Sequence, residues 1–294
     1  MSVAADSDAA GFEAHRRHLM SLAYRMLGSL AEAEDAVQEA YLRWHAADRG
    51  AVENPRAYLS RVVTRLCLDQ LRSARVRRER YVGPWLPEPV IDEAALAAES
   101  ASDYAHDLSV ALMLALERLS PLERAAFLLH DVFEVEFAEI ARTLGRNEAA
   151  CRQLASRARE HVRAARPRFA VSAEEGERLA LAFRAAAASG DAAALAKLLA
   201  SDAVLYSDGG GKRQAALNPI RGRDKIIRFL AGIARKVPTV GEWHAQPAQI
   251  NGAPGLALRA PDGAKQTVAF DIERGRIAAI YIVLNPEKLR HIAV

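Results

Sequence analysis

Between Arg72 and Arg80 the chain carries Arg72, Arg75, Arg77, Arg78 and Arg80 against a single acid, Glu79. Over about two helical turns that is a dense positive field, and the chemistry it suits is the holding of phosphates. A second cluster follows at Arg152, Arg157, Arg159, Arg163, Arg166 and Arg168. The stretch between Arg80 and Arg118 has no Lys or Arg but carries Glu88, Asp92, Glu93, Glu99, Asp103, Asp107 and Glu117. Basic, acidic and basic segments thus succeed one another before a mixed C-terminal region.

Residues suited to covalent chemistry are sparse. Gly209, Gly210, Gly211 and Lys212 superficially suggest a phosphate loop, but a Walker motif needs spaced glycines and a Ser or Thr after its Lys, whereas Arg213 follows here. Adjacent glycines permit positive φ or a close backbone approach, so this is expected to be a contact loop. Cys67 and Cys151 lack a CxxC partner, which excludes a disulfide framework and a cysteine-rich zinc site and leaves two buried helix residues. His15 and His18 lie three apart without a third ligand, and HExxH is absent, so no metal is expected. Tyr206, Trp243, His244 and Asp271 are candidates to line a pocket, but they make no paired acid and base. No catalytic residue and no cofactor is expected.

The chain of 294 residues is 51% hydrophobic and 26% charged, which allows a real core and excludes a disordered tail. At roughly 100 to 200 residues per domain, two or three domains are expected. A net charge of +3 by itself says nothing about nucleic acid; the distribution matters more. No apolar run reaches the roughly 18 residues of a membrane span, and the opening MSVAADSDAA lacks a basic region followed by an apolar one. A soluble cytoplasmic protein with no membrane partner is the expectation.

The elements that must position the arginines follow from periodicity. Ala33, Val37, Ala40, Tyr41 and Trp44 form one helical stripe, opposite Glu34, Asp35, Gln38 and Glu39. Pro55 suits a first helical position, and the next helix has Leu59, Val62, Val63, Leu66 and Cys67 on its apolar side. Gly83, Pro84, Pro87 and Pro89 cannot continue a helix and mark a linker. Ser120, Pro121 and Glu123 supply a capping box for a new helix. Helices over Phe137 to Leu144 and Glu148 to Arg166, separated by Gly145, Arg146 and Asn147, have the spacing of a helix-turn-helix. A plain helical hairpin shares that spacing, and the arginines on the second helix favour DNA. From about Val171 onward, two helical segments and several strand-like runs punctuated by turns indicate an α+β domain of about 120 residues.

Three segments, AEAEDAVQEAYLRW from Ala31, NPRAYLSRVVTRLCLDQLRSAR from Asn54, and LSPLERAAFLLHDVFEVEFAEIARTLGRNEAACRQLASRARE from Leu119, resemble the extracytoplasmic-function sigma factors of bacterial RNA polymerase. Three shorter ones, WLPEP from Trp85, DGGGK from Asp208 and NPEKL from Asn285, resemble a subgroup with a fused SnoaL-like tail. The resemblance implies a multidomain protein. Two all-α sigma domains, region 2 over 8–80 and a region 4 helix-turn-helix over 106–168, flank an acidic linker over 81–105. An α+β SnoaL-like cone fold over 170–294 follows.

It further implies roles. Asp35, Gln38 and Glu39 would dock on core polymerase, whose basic helix suits an acidic and amide face. Arg65, Arg72, Arg75 and Arg78 would serve the minus-10 element, with Arg65 at a position that often carries Asn. Arg152, Gln153, Ser156 and Arg157 would meet the minus-35 element, Arg matching guanine and Gln adenine, while Arg159 would hold phosphate. Trp85, Leu86, Pro87, Glu88 and Pro89 are expected to pack on the surface formed by Asp208, Gly209, Gly210, Gly211 and Lys212 and by Asn285, Pro286, Glu287, Lys288 and Leu289. Trp85 would be the anchor. The fused domain would then control a monomeric initiation factor that performs no covalent chemistry. The rival readings are an enzyme, and a regulator whose C-terminal cavity senses a small molecule.

Overall fold

The computed structural model describes residues 2–79, 81–91, 96, 104, 107–165, 171–235 and 243–294, with the side chains of 2–10, 49, 73–79 and 164–165 outside that description. Two compact units emerge. One joins Met1–Glu79, Asp92–Leu108 and Leu112–Ala165; the other joins Arg80–Ile91, Ser109–Ala111 and Arg166–Val294. The proline-rich start of the linker thus belongs with the C-terminal domain.

In the first unit, α1 (Ser2–Leu27), α2 (Leu30–Ala46) and α3 (Pro55–Glu79) pack together. Ser29 caps α2 by accepting from the Glu32 N–H at 3.3 Å, which orients a face that buries Ala33, Ala36, Val37, Ala40 and Trp44. After α4 (Val110–Glu117), the Ser120–Glu123 capping box forms as its sequence requires and starts α5 (Pro121–Phe127), which runs on through a π-helical turn, Leu128–Val132. α6 (Phe137–Leu144) ends at Gly145 in the left-handed region, φ 64°. Asn147 Oδ1 then accepts from the Ala150 N–H at 2.8 Å to start α7 (Glu148–Ala165).

Two buried arginines tie this unit together. Arg124 on α5 donates to the carbonyls of Leu116 at 2.8 Å and Met26 at 2.6 Å and to Glu117 Oε2 at 2.8 Å. Arg25 on α1, wholly buried, donates to the Leu96 carbonyl at 2.9 Å, and Ser21 Oγ donates to the same oxygen at 2.7 Å. A guanidinium removed from water requires such partners, so these bonds fix the α1–α5 packing and one point of the later linker. His18 is buried too: Arg56 donates to its Nδ1 at 3.2 Å, so its Nε2 carries the proton toward Ser60 Oγ at 2.9 Å.

The second unit runs α8 (Ala173–Ser189), α9 (Ala192–Leu198), β1 (Leu199–Asp208), β2 (Ile220–Arg221), α10 (Arg223–Ala234), β3 (His244–Ile250), β4 (Ala253–Arg259), β5 (Lys265–Glu273) and β6 (Arg276–Val283). The sheet order is β2-β1-β6-β5-β4-β3, antiparallel except for the β1–β6 pair. One sheet face meets the helices through Leu179, Phe183, Leu195, Ile226, Leu230, Leu256, Leu258, Phe270 and Ile280. Phe183 and Phe270 touch edge to face at 5.0 Å, so the space beneath the helices is filled with apolar side chains. Asn251 and Gly252, both at positive φ, make the two-residue β3–β4 turn.

Candidate functional site

The parallel β1–β6 pairing brings Asp208, the last residue of β1, beside Val283, and the Asp208 carbonyl accepts from the N–H groups of Leu284 at 2.7 Å and Asn285 at 3.0 Å. The turn after β6 is thereby pinned to the end of β1. Asn285 caps a 3-10 helix, Pro286–Leu289, and Lys288 faces inward. Against this corner lies the strap, residues 81–91.

The Asp208 carboxylate, 0% exposed, is the hub. Its Oδ1 accepts from Tyr81 Oη at 2.6 Å and from the Gly210 N–H at 3.0 Å; its Oδ2 accepts from the Leu86 N–H at 2.9 Å and from Lys288 Nζ at 2.8 Å. Four donors match what an ionised carboxylate can accept, so the buried charge is fully satisfied. Lys288 also donates to the Leu86 carbonyl and lies over the rings of Trp85, 4.3 Å from its centroid, and Tyr81, at 5.2 Å. Burial and the bond to Asp208 push the Tyr81 phenol far above its ordinary range, which keeps it a donor, and Tyr81 Oη in turn accepts from Asn285 Nδ2 at 2.9 Å.

The rest of the strap is held as regularly. The Val90 N–H donates to Asn251 Oδ1 at 3.0 Å and the Asn251 N–H donates to the Val90 carbonyl at 2.7 Å, a two-way bridge. His291 Nε2 lies 2.8 Å from the Pro89 carbonyl oxygen, and His291 Nδ1 lies 3.3 Å from Glu88 Oε1. Leu86, Pro87 and Pro89 face Thr267, Ala269, Tyr281 and Val283 across a void of only about 10 Å³, so the strap covers the sheet face opposite the helices. Lys212 reaches Glu287 at 2.5 Å, and that hydrogen bond holds the Glu287 carboxyl below its usual range. The glycines serve approach: a Cβ on Gly209 would stand 2.1 Å from the Arg213 carbonyl oxygen, and one on Gly210 2.3 Å from Asn285 Nδ2.

The three short motifs therefore meet at one corner. Sequence reading does not single out Tyr81, Asn251 or His291. The Asn251-Gly252 dipeptide signals its turn but conceals the strap contact, and nothing local marks Tyr81 or His291.

The arginines are distributed differently from expectation. Arg65 donates to the carbonyls of Thr143 at 3.3 Å and Arg142 at 3.2 Å, so its guanidinium terminates α6 rather than pointing free. Arg72 is exposed and pairs with Asp69 at 3.2 Å; the side chains of Arg75 and Arg78 lie outside the described residues. On α7, Gln153, Ser156 and Arg157 are exposed with no side-chain partner among the described residues. Arg152 pairs with Glu148 at 2.7 Å and stacks over Phe137 at 5.2 Å. Arg159, expected on phosphate, is instead bonded to Asp131 at 2.5 Å and mostly covered, because it points back toward the π-helical turn. Asp35 and Gln38 are exposed on α2, and Glu39 bonds Arg43 at 2.9 Å.

The four pocket candidates do not converge. Tyr206 stacks on Tyr281 at 5.4 Å, and Tyr281 Oη donates to Asp271 Oδ2 at 2.6 Å, whereas Trp243 and His244 lie at the far edge of the sheet. There they line an open crevice of about 480 Å³ with Arg184, Gln246 and Arg259. Among the described residues no helix is long and apolar enough to cross a membrane, and no cluster of three potential metal ligands occurs.

A three-helix module with an acidic face, a capped helix-turn-helix with an exposed polar face on α7, and a cone-like sheet domain that holds the strap define a promoter-recognition factor with a fused accessory domain. The family models agree: sigma-70 region 2 matches residues 12–77 and sigma-70 region 4 matches residues 109–162. The chain belongs to the extracytoplasmic-function RNA polymerase sigma factors. It is 42% identical over 290 residues, 94% of this chain and 91% of the relative, to the ECF RNA polymerase sigma factor SigJ of Mycobacterium tuberculosis. It is 31% identical over 295 residues, 97% of this chain and 95% of the relative, to a probable ECF RNA polymerase sigma factor SigI of the same species. The crystal structure of M. tuberculosis SigJ superposes with a TM-score of 0.72 at 38% identity, covering 96% of this chain and 98% of that one. As a sigma factor the chain is a non-enzymatic initiation factor that acts with core polymerase at promoters.

Proposed function

We propose that this sigma factor is restrained by its own C-terminal domain, which grips the strap and keeps the factor in a closed form that does not engage a promoter. The observation that carries this is the Asp208 carboxylate, whose donors come from the strap (Tyr81, Leu86) and from the domain (Gly210, Lys288) in equal number. Opening the strap removes two of the four donors, those of Tyr81 and Leu86, and leaves Asp208 with Gly210 and Lys288, so those two bonds favour the closed state.

The packing within the helical unit supports the same reading. Arg65 on α3 is bonded to α6, and Arg124 on α5 to the end of α1, so the two DNA-reading modules share one compact body. Reading two distinct promoter elements requires those modules to separate. In the open factor Arg65, Arg72, Arg75 and Arg78 serve the minus-10 region, Gln153, Ser156, Arg157 and Arg152 the minus-35 element, and Asp35, Gln38 and Glu39 the polymerase. The protein acts as a monomer, and the strap covers the sheet face around Thr267, Ala269 and Tyr281 within the same chain.

A second reading, a ligand-sensing tail, is favoured by the crevice alone. Arg184, Arg259, His244 and Trp243 suit a small aromatic anion there.

Transcription from a cognate promoter with core polymerase tests the restraint. Asp208→Asn is expected to raise the yield several-fold over the native chain. Unchanged yield with a demonstrably released strap overturns it; failure of native, Asp208→Asn and tail-truncated chains alike to bind core overturns the assigned polymerase contacts.

A further inference from the structure

His291 lies beyond the last of the three motifs, yet both of its ring nitrogens face oxygens of the strap. Nε2 is 2.8 Å from the Pro89 carbonyl oxygen, which only accepts, so Nε2 carries a proton. Nδ1 is 3.3 Å from Glu88 Oε1, a carboxylate oxygen on a side chain only 9% exposed. A neutral ring with its proton on Nε2 would turn a lone pair toward that carboxylate. With Nδ1 protonated as well, both contacts become charge-assisted hydrogen bonds. We infer that His291 is the positioning residue of the strap, gripping Glu88 and Pro89 as an imidazolium and loosening the linker when the ring gives up its second proton. The inference rests on the strap being the restraint described above.

The surroundings decide the sign. On its own turn the ring has Lys288, committed to Asp208, Arg290, and Glu287, which is paired with Lys212; from β5 comes Lys265, which donates to the carbonyls of Arg290 and Ile292. These cations oppose the imidazolium, but they stand on the domain whether the strap is on or off. Glu88 and the Pro89 carbonyl are present only when it is on. Closure therefore raises the proton affinity of the ring, and by linkage protonation favours closure. The His291 contribution is complete below the ordinary imidazole range, about 6.5, and is lost as pH rises above it. On the acid side, protonation of the Glu88 carboxylate would remove the partner charge and weaken the grip.

Hydrogen exchange on the full-length chain reads this directly. The amides of Leu86 and Val90 donate to Asp208 and Asn251, so their protection reports strap opening, once the intrinsic pH dependence of exchange is divided out. Between pH 5.5 and 8.5 the native chain is expected to lose protection severalfold at both amides. His291→Gln and Glu88→Gln are expected to flatten that dependence while the Ile280 amide in β6 keeps its protection. Should either variant fold poorly, the ring of native His291 is titrated by NMR alongside a Leu86→Ala strap variant, whose midpoint is expected to fall. A flat native profile, an unchanged dependence in His291→Gln, or an unmoved midpoint overturns the inference. Since exchange follows the strap and not transcription, a pH-dependent strap with unaltered promoter output would sink the restraint and leave His291 as assigned.

Discussion

Lys288 Nζ lies 2.8 Å from Asp208 Oδ2 and 4.3 Å from the centroid of the Trp85 ring, so one ammonium joins the end of β1 to the aromatic anchor of the linker. A lysine this buried is unusual unless paired, and here both its charge and its stem have partners.

Lys288→Met keeps much of the stem and removes the charge, leaving Asp208 buried with three donors. Breaking a buried pair in this way costs about 3–5 kcal/mol, so Leu86 amide protection should fall by about a hundredfold or more. A variant with native protection would mean that Tyr81 and the backbone amides suffice to hold the carboxylate.

Gly210→Ala is expected to destabilise the C-terminal domain by about 1–3 kcal/mol, because the new Cβ would meet the Asn285 amide and the backbone is in the left-handed region, φ 59°. Gly232→Ala, in α10 with open space around it, is expected to stabilise by about 0.5–1 kcal/mol. Thermal unfolding of the pair should give shifts of opposite sign.

On α7 the free side chains are expected to matter more than the paired one. Arg157→Ala and Gln153→Ala should each weaken binding of a minus-35 duplex by about 1–3 kcal/mol, and Arg152→Ala by less, since Glu148 and Phe137 already compete for its guanidinium. Fluorescence anisotropy with polymerase holoenzyme at two salt concentrations ranks them; Arg152 dominating would reverse the assignment.

His18 remains neutral until about pH 3, owing first to burial and then to the charges of Arg56 and His15. Because the unfolded chain takes up that proton near 6.5, the stability His18 supports is lost as pH falls from there toward 3. Urea unfolding at pH 7 and 4.5 should show the drop, and His18→Gln should shrink it.

The features legible beforehand are local ones. Ser120 and Glu123 are three residues apart, Gly145 and Asn147 flank one turn, and the apolar stripe of α2 repeats within a single helix, so short-range chemistry determines each. The strap is different. Tyr81, Val90 and His291 find partners 127, 161 and 202 positions away, and no periodicity encodes such a pairing. Arginine composition misleads for a related reason. Arg25, Arg124, Arg65 and Arg159 share the residue type of a phosphate patch, but each is bonded to carbonyls or carboxylates, and that distinction exists only after folding.

Donors and acceptors of the strap contact all belong to a single polypeptide. If the domain restrains the factor as proposed, it differs from a separate inhibitor, which can be outnumbered when its target is overproduced, because every new molecule brings its own at a fixed effective concentration. Dilution and gene dosage would leave that ratio untouched, so under the proposed restraint release comes from a change at the contact itself.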